Sequence, residues 1–413
     1  MNKIPLIDLK RQYLTIKEEI DAAIQSVLNS ACFILGEPVE AFEKSFAQAC
    51  GVEFGVGASS GTTALYLALT TLGIGAGDEV ITTANTFIAT TEAISQTGAR
   101  VIFADINEGT YNIDCNSLEQ KITPRTKVIV PVHLYGQSAD MEAVCRIAKK
   151  HDLKVIEDAS QAHLAEFNGQ PVGSFGDCAV FSFYPAKNLG AYGDAGMVVT
   201  NDETLAQKMR MLSNHGRINK YEHLMEGYNY RLDTLQAAVL NVKFKYLAKW
   251  TQQRREIAQI YDKSFKDFDV IIPVADPRAK HVFHLYVIRV KNRERLEKTL
   301  AQNGISTGVH YPAPLHLQKA YQHLGYKRGD LPVTERCCEE ILSLPLFPEL
   351  TSLELDRIIE VIRRECPRPS RPSCVIANPK GEAILSSGIA SSLKSAPRND
   401  TKVHLTQSDQ SQE

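Results

Sequence analysis

The chain has 413 residues, 44% of them apolar and 23% charged, with a formal net charge of −2. That balance belongs to a globular protein long enough for two domains, and it leaves no electrostatic footprint for nucleic acid or a membrane surface. The nine cysteines form no C-x-x-C pair, no apolar run reaches the ~20 residues of a membrane span, and no secretory signal follows Met1, so no metal, no membrane and a reducing cytoplasmic setting are expected.

The first informative stretch is Gly57-Ala58-Ser59-Ser60-Gly61-Thr62-Thr63-Ala64-Leu65, small residues placed just before an apolar-periodic helix. Gly61 lets the backbone approach an anion, and the N–H groups of Gly61 and Thr62 would face it at the helix start. An ordinary Ser/Thr cap with a glycine turn is the competing reading. From about residue 55 to 200, β-rich runs alternate with helical patterns, with strands expected at 78–84, 100–106, 127–134, 154–158, 178–183 and 196–200. In Met141–Lys150, the residues Met141, Val144, Cys145 and Ala148 fall on one helical face. Alternation of this kind predicts an α/β fold: right-handed crossovers and a mostly parallel sheet flanked by helices. Sites in such sheets lie beyond the carboxyl ends of the strands. Phe87 follows the strand at 78–84 and could stack there on a flat heteroaromatic ring, or be an ordinary core phenylalanine.

The run at 154–158 ends in Glu157-Asp158-Ala159-Ser160-Gln161, and twenty-nine residues after Asp158 comes Lys187, in Phe181-Ser182-Phe183-Tyr184-Pro185-Ala186-Lys187-Asn188-Leu189-Gly190. A carboxylate at one strand end and a loop lysine after the next suit pyridoxal phosphate. A lysine amine condenses with its aldehyde, and a carboxylate paired with its pyridinium nitrogen keeps the ring an electron acceptor. Gln161 could donate to the phenolic oxygen of that cofactor and Ser182 to its phosphate.

Farther on, 235–260 reads as one or two long helices, 281–290 as a strand, Arg293–Gln302 as a helix and 353–364 as an amphipathic helix. The expected division is a large α/β domain over 1–249, a smaller C-terminal α+β domain over 250–365, and a Pro- and Ser-rich tail over 366–413 that cannot bury enough apolar surface to order and has no assigned function.

Taken together, the motifs resemble the DegT/DnrJ/EryC1/StrS family of sugar aminotransferases, pyridoxal phosphate enzymes of fold type I. The similar stretches are 57–69, 83–90, 155–163, 173–199, 227–238, 304–316 and Leu344-Pro345-Leu346-Phe347-Pro348, in the family's order, over about residues 5–365. The resemblance implies that Lys187 is the Schiff-base lysine and Asp158 the partner of the pyridinium nitrogen. It implies ring stacking by Phe87, phosphate contacts from Gly61, Thr62 and Ser182, and a phenolic-oxygen contact from Gln161. It implies that Asn229, in Gly227-Tyr228-Asn229-Tyr230, reaches across an interface to the phosphate, hence a homodimer with shared active sites. The implied reaction moves an amino group from L-glutamate to a keto group of a nucleotide-linked sugar.

The segments His310–Gln318 and His215–His223 are more similar to members acting on 3-keto than on 4-keto sugars. Substrate candidates are therefore Arg217, Lys220, His310, Tyr311 and His316, unless these are loop residues without a ligand contact. The expected acceptor is a thymidine-diphosphate-linked 3-keto-6-deoxyhexose, with the product serving a surface polysaccharide such as lipopolysaccharide. A dehydratase of the family would carry histidine in place of Lys187. A regulatory relative would be expected to lose Lys187, Asp158 or the phosphate loop, and none is lost.

Overall fold

A computed structural model describes residues 3–368; most of the tail expected from 366 onward therefore lies outside the described residues. The chain begins with helices α1 (Leu9–Thr15), α2 (Lys17–Ser30) and α3 (Glu37–Ala49), then alternates through β1 (Phe54–Ala58), α4 (Gly61–Thr71), β2 (Glu79–Thr83), α5 (Ala89–Gln96), β3 (Arg100–Ala104), α6 (Cys115–Gln120), β4 (Thr126–Ile129), α7 (Met141–Lys150) and β5 (Lys154–Asp158). Two short strands, β6 (Glu166–Phe167) and β7 (Gln170–Pro171), precede β8 (Cys178–Ser182), β9 (Gly196–Thr200), α8 (Glu203–Ser213) and α9 (Thr234–Phe265). The last part holds β10 (Ala279–Lys280), β11 (Tyr286–Arg289), α10 (Arg293–Gln302), α11 (Pro332–Glu340), β12 (Ile341–Leu344) and α12 (Ser352–Glu365).

Seven strands make one sheet in the order β1-β9-β8-β5-β4-β2-β3. Neighbouring pairs from β8 to β3 are parallel, and β9 is antiparallel to both of its neighbours, so it alone runs against the rest. Val155 and Ile156 of β5 are both buried, as a central strand covered on both faces requires. One face packs Val80, Val128, Ile156 and Val180 against α4 and α5. On the other, Phe42 and Phe46 of α3 meet Phe181 and Phe183. A two-stranded antiparallel sheet, β11–β12, has its own apolar cluster with α10, α12 and the end of α9. The boundary expected near residue 250 falls inside α9, a continuous 32-residue helix, and Met1–Arg368 group as one compact unit.

Strand β1 was not anticipated, because Phe54-Gly55-Val56-Gly57-Ala58 is glycine-rich. Its glycines provide clearance: a Cβ at Gly55 would come 2.7 Å from Glu43 O, and one at Gly57 would come 2.8 Å from the Leu232 Cβ. The run expected at 127–134 is a regular strand only to Ile129; beyond it Val130 N still donates to Ile81 O and Val132 bridges Asp158 around Pro131, and the chain turns through Leu134–Gly136. Helix α7 matches its expected bounds; Asp140 accepts from Ala143 N at its start, and Lys149 and Lys150 face the negative end of its dipole.

The aromatic layer beneath the sheet generates a stability prediction. Phe46 is fully buried, with ring centroids of Phe181 and Phe183 at 4.8 and 5.2 Å. Phe46→Ala is expected to lower the unfolding free energy by ~3–5 kcal/mol in urea titration; a loss below ~1 kcal/mol would contradict this packing.

Candidate active site

The carboxyl ends of β1, β2, β5 and β8 open into a cavity of about 520 Å³. Gly61, Thr62, Phe87, Asp158, Gln161, Ser182, Lys187, His310 and Tyr311 all line it. Those residues are spread over 250 positions of sequence, and the sheet brings them to one rim. Because β5 and β8 pair in parallel, with Asp158 opposite Val180, Asp158 and Ser182 end neighbouring strands on the same side.

Asp158 is only 6% exposed, and both of its oxygens are held. Oδ2 accepts from Thr90 Oγ1 at 2.8 Å and Oδ1 from Ser160 N at 3.2 Å. Thr90 is itself within 2.9 Å of Thr86 Oγ1. Each carboxylate oxygen keeps a lone pair for a further donor. Lys187 lies at the middle of the loop after β8, its backbone N–H donating to Tyr184 O at 2.8 Å. Burial lowers its amine from 10.5 to about 8, while the Asp158 carboxylate acts the other way.

An anion cradle forms at the start of α4. The capping box between Ser60 and Thr63 consumes the N–H groups of both residues. Among the described residues no acceptor meets the N–H of Gly61 or Thr62, which lie at the positive end of the helix dipole. Ser182 stands against Gly61 so closely that a Cβ there would come 2.7 Å from the Ser182 Cβ. Glycine is thus required for the cradle to close around its ligand.

Phe87, although apolar, is 55% exposed and faces the Tyr311 ring at 5.8 Å between centroids. Gln161 Oε1 accepts from Tyr135 N at 2.7 Å, which turns its amide nitrogen toward the cavity, 3.4 Å from the Tyr311 hydroxyl. His310 is tied by Nδ1 to Ser343 Oγ at 2.8 Å. Burial, then the charge of Lys187, lowers the pKa of both His310 and His284, so both are neutral near pH 7.

Four expected residues are not part of this cavity. His316 is 1% exposed, its Nε2 3.0 Å from Glu335 Oε1 and its ring packed near Phe103 and Tyr326. Its place as a substrate contact is corrected: the ring ties the loop after Tyr311 to α11. Arg217 and Lys220 lie on an outlying segment, with Lys220 over the Tyr221 ring at 5.4 Å. Asn229 is exposed, bridges to Asn214, and does not line the cavity of its own chain. Thr90, Ser160, Tyr184, Asp194 and His284 line the cavity and were missed. Thr90 carried a signal, since it lies one helical turn from Thr86. His284 carried none, because only tertiary folding brings it to the rim.

An amine of lowered pKa, a held carboxylate, an anion cradle and an exposed aromatic face make up the donor set that pyridoxal phosphate requires. The comparisons agree with that fit. The profile of the DegT/DnrJ/EryC1/StrS aminotransferase family matches residues 14–363. A protein of Geobacillus stearothermophilus named a pleiotropic regulatory protein is 47% identical, covering 87% of this chain and 97% of its own. A UDP-N-acetyl-3-dehydro-α-D-glucosamine 3-aminotransferase of Acidithiobacillus ferrooxidans is 46% identical (87% and 97%). A dTDP-3-amino-3,6-dideoxy-α-D-galactopyranose transaminase of Aneurinibacillus thermoaerophilus is 46% identical (87% and 99%). Among solved structures, S. venezuelae DesV in complex with a ketimine intermediate superposes with a TM-score of 0.87 at 42% identity, covering 90% of this chain and 100% of that one.

The lowered amine is measurable directly. In cofactor-free protein, the rate of amine-selective acylation at Lys187 should rise with pH through a midpoint of about 8 rather than the ordinary 10.5. Asp158→Asn should move that midpoint lower still, because the carboxylate favours the ammonium form. A midpoint near 10.5, read by mass spectrometry of the labelled peptide, would contradict the desolvation described.

Proposed function

The chain belongs to the DegT/DnrJ/EryC1/StrS aminotransferase family, and from that premise we propose that it moves an amino group from L-glutamate to the C3 keto group of a nucleotide-linked hexose. The acceptor we assign is a thymidine-diphosphate-linked 3-keto-6-deoxyhexose, and the product a 3-amino sugar for a surface polysaccharide such as lipopolysaccharide. The chain is a pyridoxal-phosphate-dependent aminotransferase, as its family is. The observation that carries the reading is the Lys187 amine, brought to about 8 by burial in a cavity it shares with the held Asp158 carboxylate.

When bound, pyridoxal phosphate supplies an aldehyde and an electron-withdrawing ring. Lys187 Nζ would hold the cofactor at its aldehyde carbon and, when the donor amine takes its place, is the base positioned to carry a proton between the donor's α-carbon and that same cofactor carbon. An amine near 8 has a substantial neutral fraction at physiological pH, which an ordinary lysine lacks. Asp158, fixed by Thr90 and Ser160, would meet the ring nitrogen and keep it protonated. The N–H groups of Gly61 and Thr62, with the Ser182 hydroxyl, would bind the phosphate. Phe87 would cover the ring, and Gln161 would donate to its phenolic oxygen through the amide nitrogen that Tyr135 orients.

His310 and Tyr311 then face the sugar. Choosing one carbonyl position on a ring takes several polar contacts at fixed distances, which neutral histidine and phenol groups supply. C3 is supported by two relatives at 46% identity, one named an aminotransferase of a 3-dehydro sugar and one a transaminase of a 3-amino sugar. The relative named as a regulatory protein does not alter the reading, because Lys187, Asp158 and the phosphate cradle are intact in this chain.

The reading includes a homodimer. Asn229 is exposed and away from its own cavity, and its segment carries exposed Ile218, Tyr221 and Leu224. An interface over these side chains would bring Asn229 and the segment bearing Arg217 and Lys220 toward a second copy's site. Among the described residues no helix is long and apolar enough to cross a membrane, and we place the enzyme in the cytoplasm.

Purified enzyme should aminate the 3-keto thymidine-diphosphate sugar faster than its 4-keto isomer or a UDP-linked 3-keto sugar, with L-glutamate as donor. Faster turnover of the 4-keto isomer would overturn the C3 assignment alone. Asp158→Asn is expected to lower kcat by roughly 10²–10³-fold, as loss of one preorganised electrostatic contact does, with a smaller effect on cofactor affinity. An unchanged kcat would move the ring-nitrogen role to another residue.

A further inference from the structure

The loop that carries Lys187 is closed on itself. Ala191 N donates to Phe183 O at 2.8 Å across its base, and Gly190 packs so tightly on the loop's start that a Cβ there would come 2.3 Å from Pro185 O. At the far corner, Asn188 Nδ2 donates to Val282 O at 3.1 Å. The Gly190 carbonyl is held by a second lysine: Lys243 Nζ donates to Gly190 O at 2.5 Å.

Lys243 is an unusual residue for that task. It is 1% exposed, on the inner face of α9, whereas lysine is almost never fully buried unless paired. Its ammonium lies 5.2 Å over the ring of Tyr192, which continues the same loop. Burial lowers its amine from 10.5 to about 8, while the charge of Glu349, whose Oε2 is buried without a hydrogen-bond partner, acts the other way, so the ammonium form still predominates at pH 7. Eleven residues further along α9, about three turns and so on the same face, Arg254 is likewise buried and holds backbone carbonyls. Its Nη1 donates to Leu346 O at 2.8 Å and lies 3.4 Å from His284 O.

We propose that Lys243 is a positioning residue for the reaction: by gripping Gly190 O beneath the Tyr192 ring, it fixes the closed loop and thereby the reach of Lys187 into the cavity. The inference rests on Lys187 being the reactive amine. A charged donor suits the position because hydrogen bonds from an ionised group are shorter and stronger than neutral ones, and the loop must hold through repeated release and recapture of Lys187. Burial of so costly a charge serves packing poorly, since an apolar side chain of the same length would fill the space without desolvating an ion. The grip on the carbonyl is what methionine could not supply.

The test uses cofactor-loaded enzyme and Lys243→Met, which keeps the length and removes the donor. We expect kcat to fall about 10²-fold with KM for glutamate and for the keto sugar within about 2-fold, because misplacement of the reacting group by about an ångström costs the chemical step rather than binding. Deuterium uptake should rise in amides of residues 183–191 and stay at the wild-type level in β2 and β5. A kcat within about 2-fold of wild type, or uptake raised evenly across the sheet, would overturn the proposal and leave Lys243 a packing residue. If Lys243→Met does not fold, Lys243→Gln decides, since it keeps a polar amide at the position but is uncharged and too short to hold Gly190 O. Faster uptake confined to 183–191 supports the grip, and unchanged uptake contradicts it. Failure of the aminotransferase reading would show separately, as wild-type enzyme without turnover.

Discussion

Asp158 and Lys187 share a cavity at the rim of a parallel sheet, and the chemistry depends on how far the fold withdraws these two groups from water. In bulk water a lysine amine is protonated at neutral pH and can neither attack an aldehyde nor accept a proton. Here burial lowers the amine to about 8, and the same burial strengthens its attraction to the carboxylate, which opposes the shift. The parallel pairing of β5 with β8 creates this relation, since two adjacent strands must end on the same side of the sheet. An antiparallel pairing would have put Ser182 and the lysine loop at the opposite edge.

Polar groups held in such a place need partners of their own. Asp158 obtains them from Thr90 and the backbone of Ser160, the lysine loop from Asn188 and Lys243, and Gln161 from the backbone of Tyr135. Each contact fixes one atom and leaves another facing the cavity. The cradle at α4 follows the same logic: Ser60 and Thr63 satisfy each other and leave the N–H groups of Gly61 and Thr62 for an anion. A neutral His310 and His284 add donors and acceptors to the wall without adding charge beside the amine.

Much of this was legible in the sequence wherever a single segment carries the whole signal. The run ending at Asp158, the loop around Lys187, the cap at Ser60–Thr63 and helix α7 are local patterns, and the structure brings the first three to one rim. Strand β1 escaped because a glycine-rich run carries no strand signal of its own, and its glycines are there to admit Glu43 and Leu232. His316 was misplaced because a histidine close to Tyr311 in sequence need not face the same space; a turn at 315–317 sends it inward to Glu335. His284 and Lys243 leave no mark in the sequence around them, since their roles come from contacts with Asn188 and Gly190, far away in the chain.

The central claim is that Lys187 is the amine on which the cofactor is carried. Reduction of the cofactor-loaded enzyme with borohydride, followed by peptide mapping, tests it most directly. The account predicts one modified peptide, with the reduced cofactor on Lys187 and loss of visible absorbance in step with its appearance. Attachment at any other lysine, Lys243 included, would contradict it.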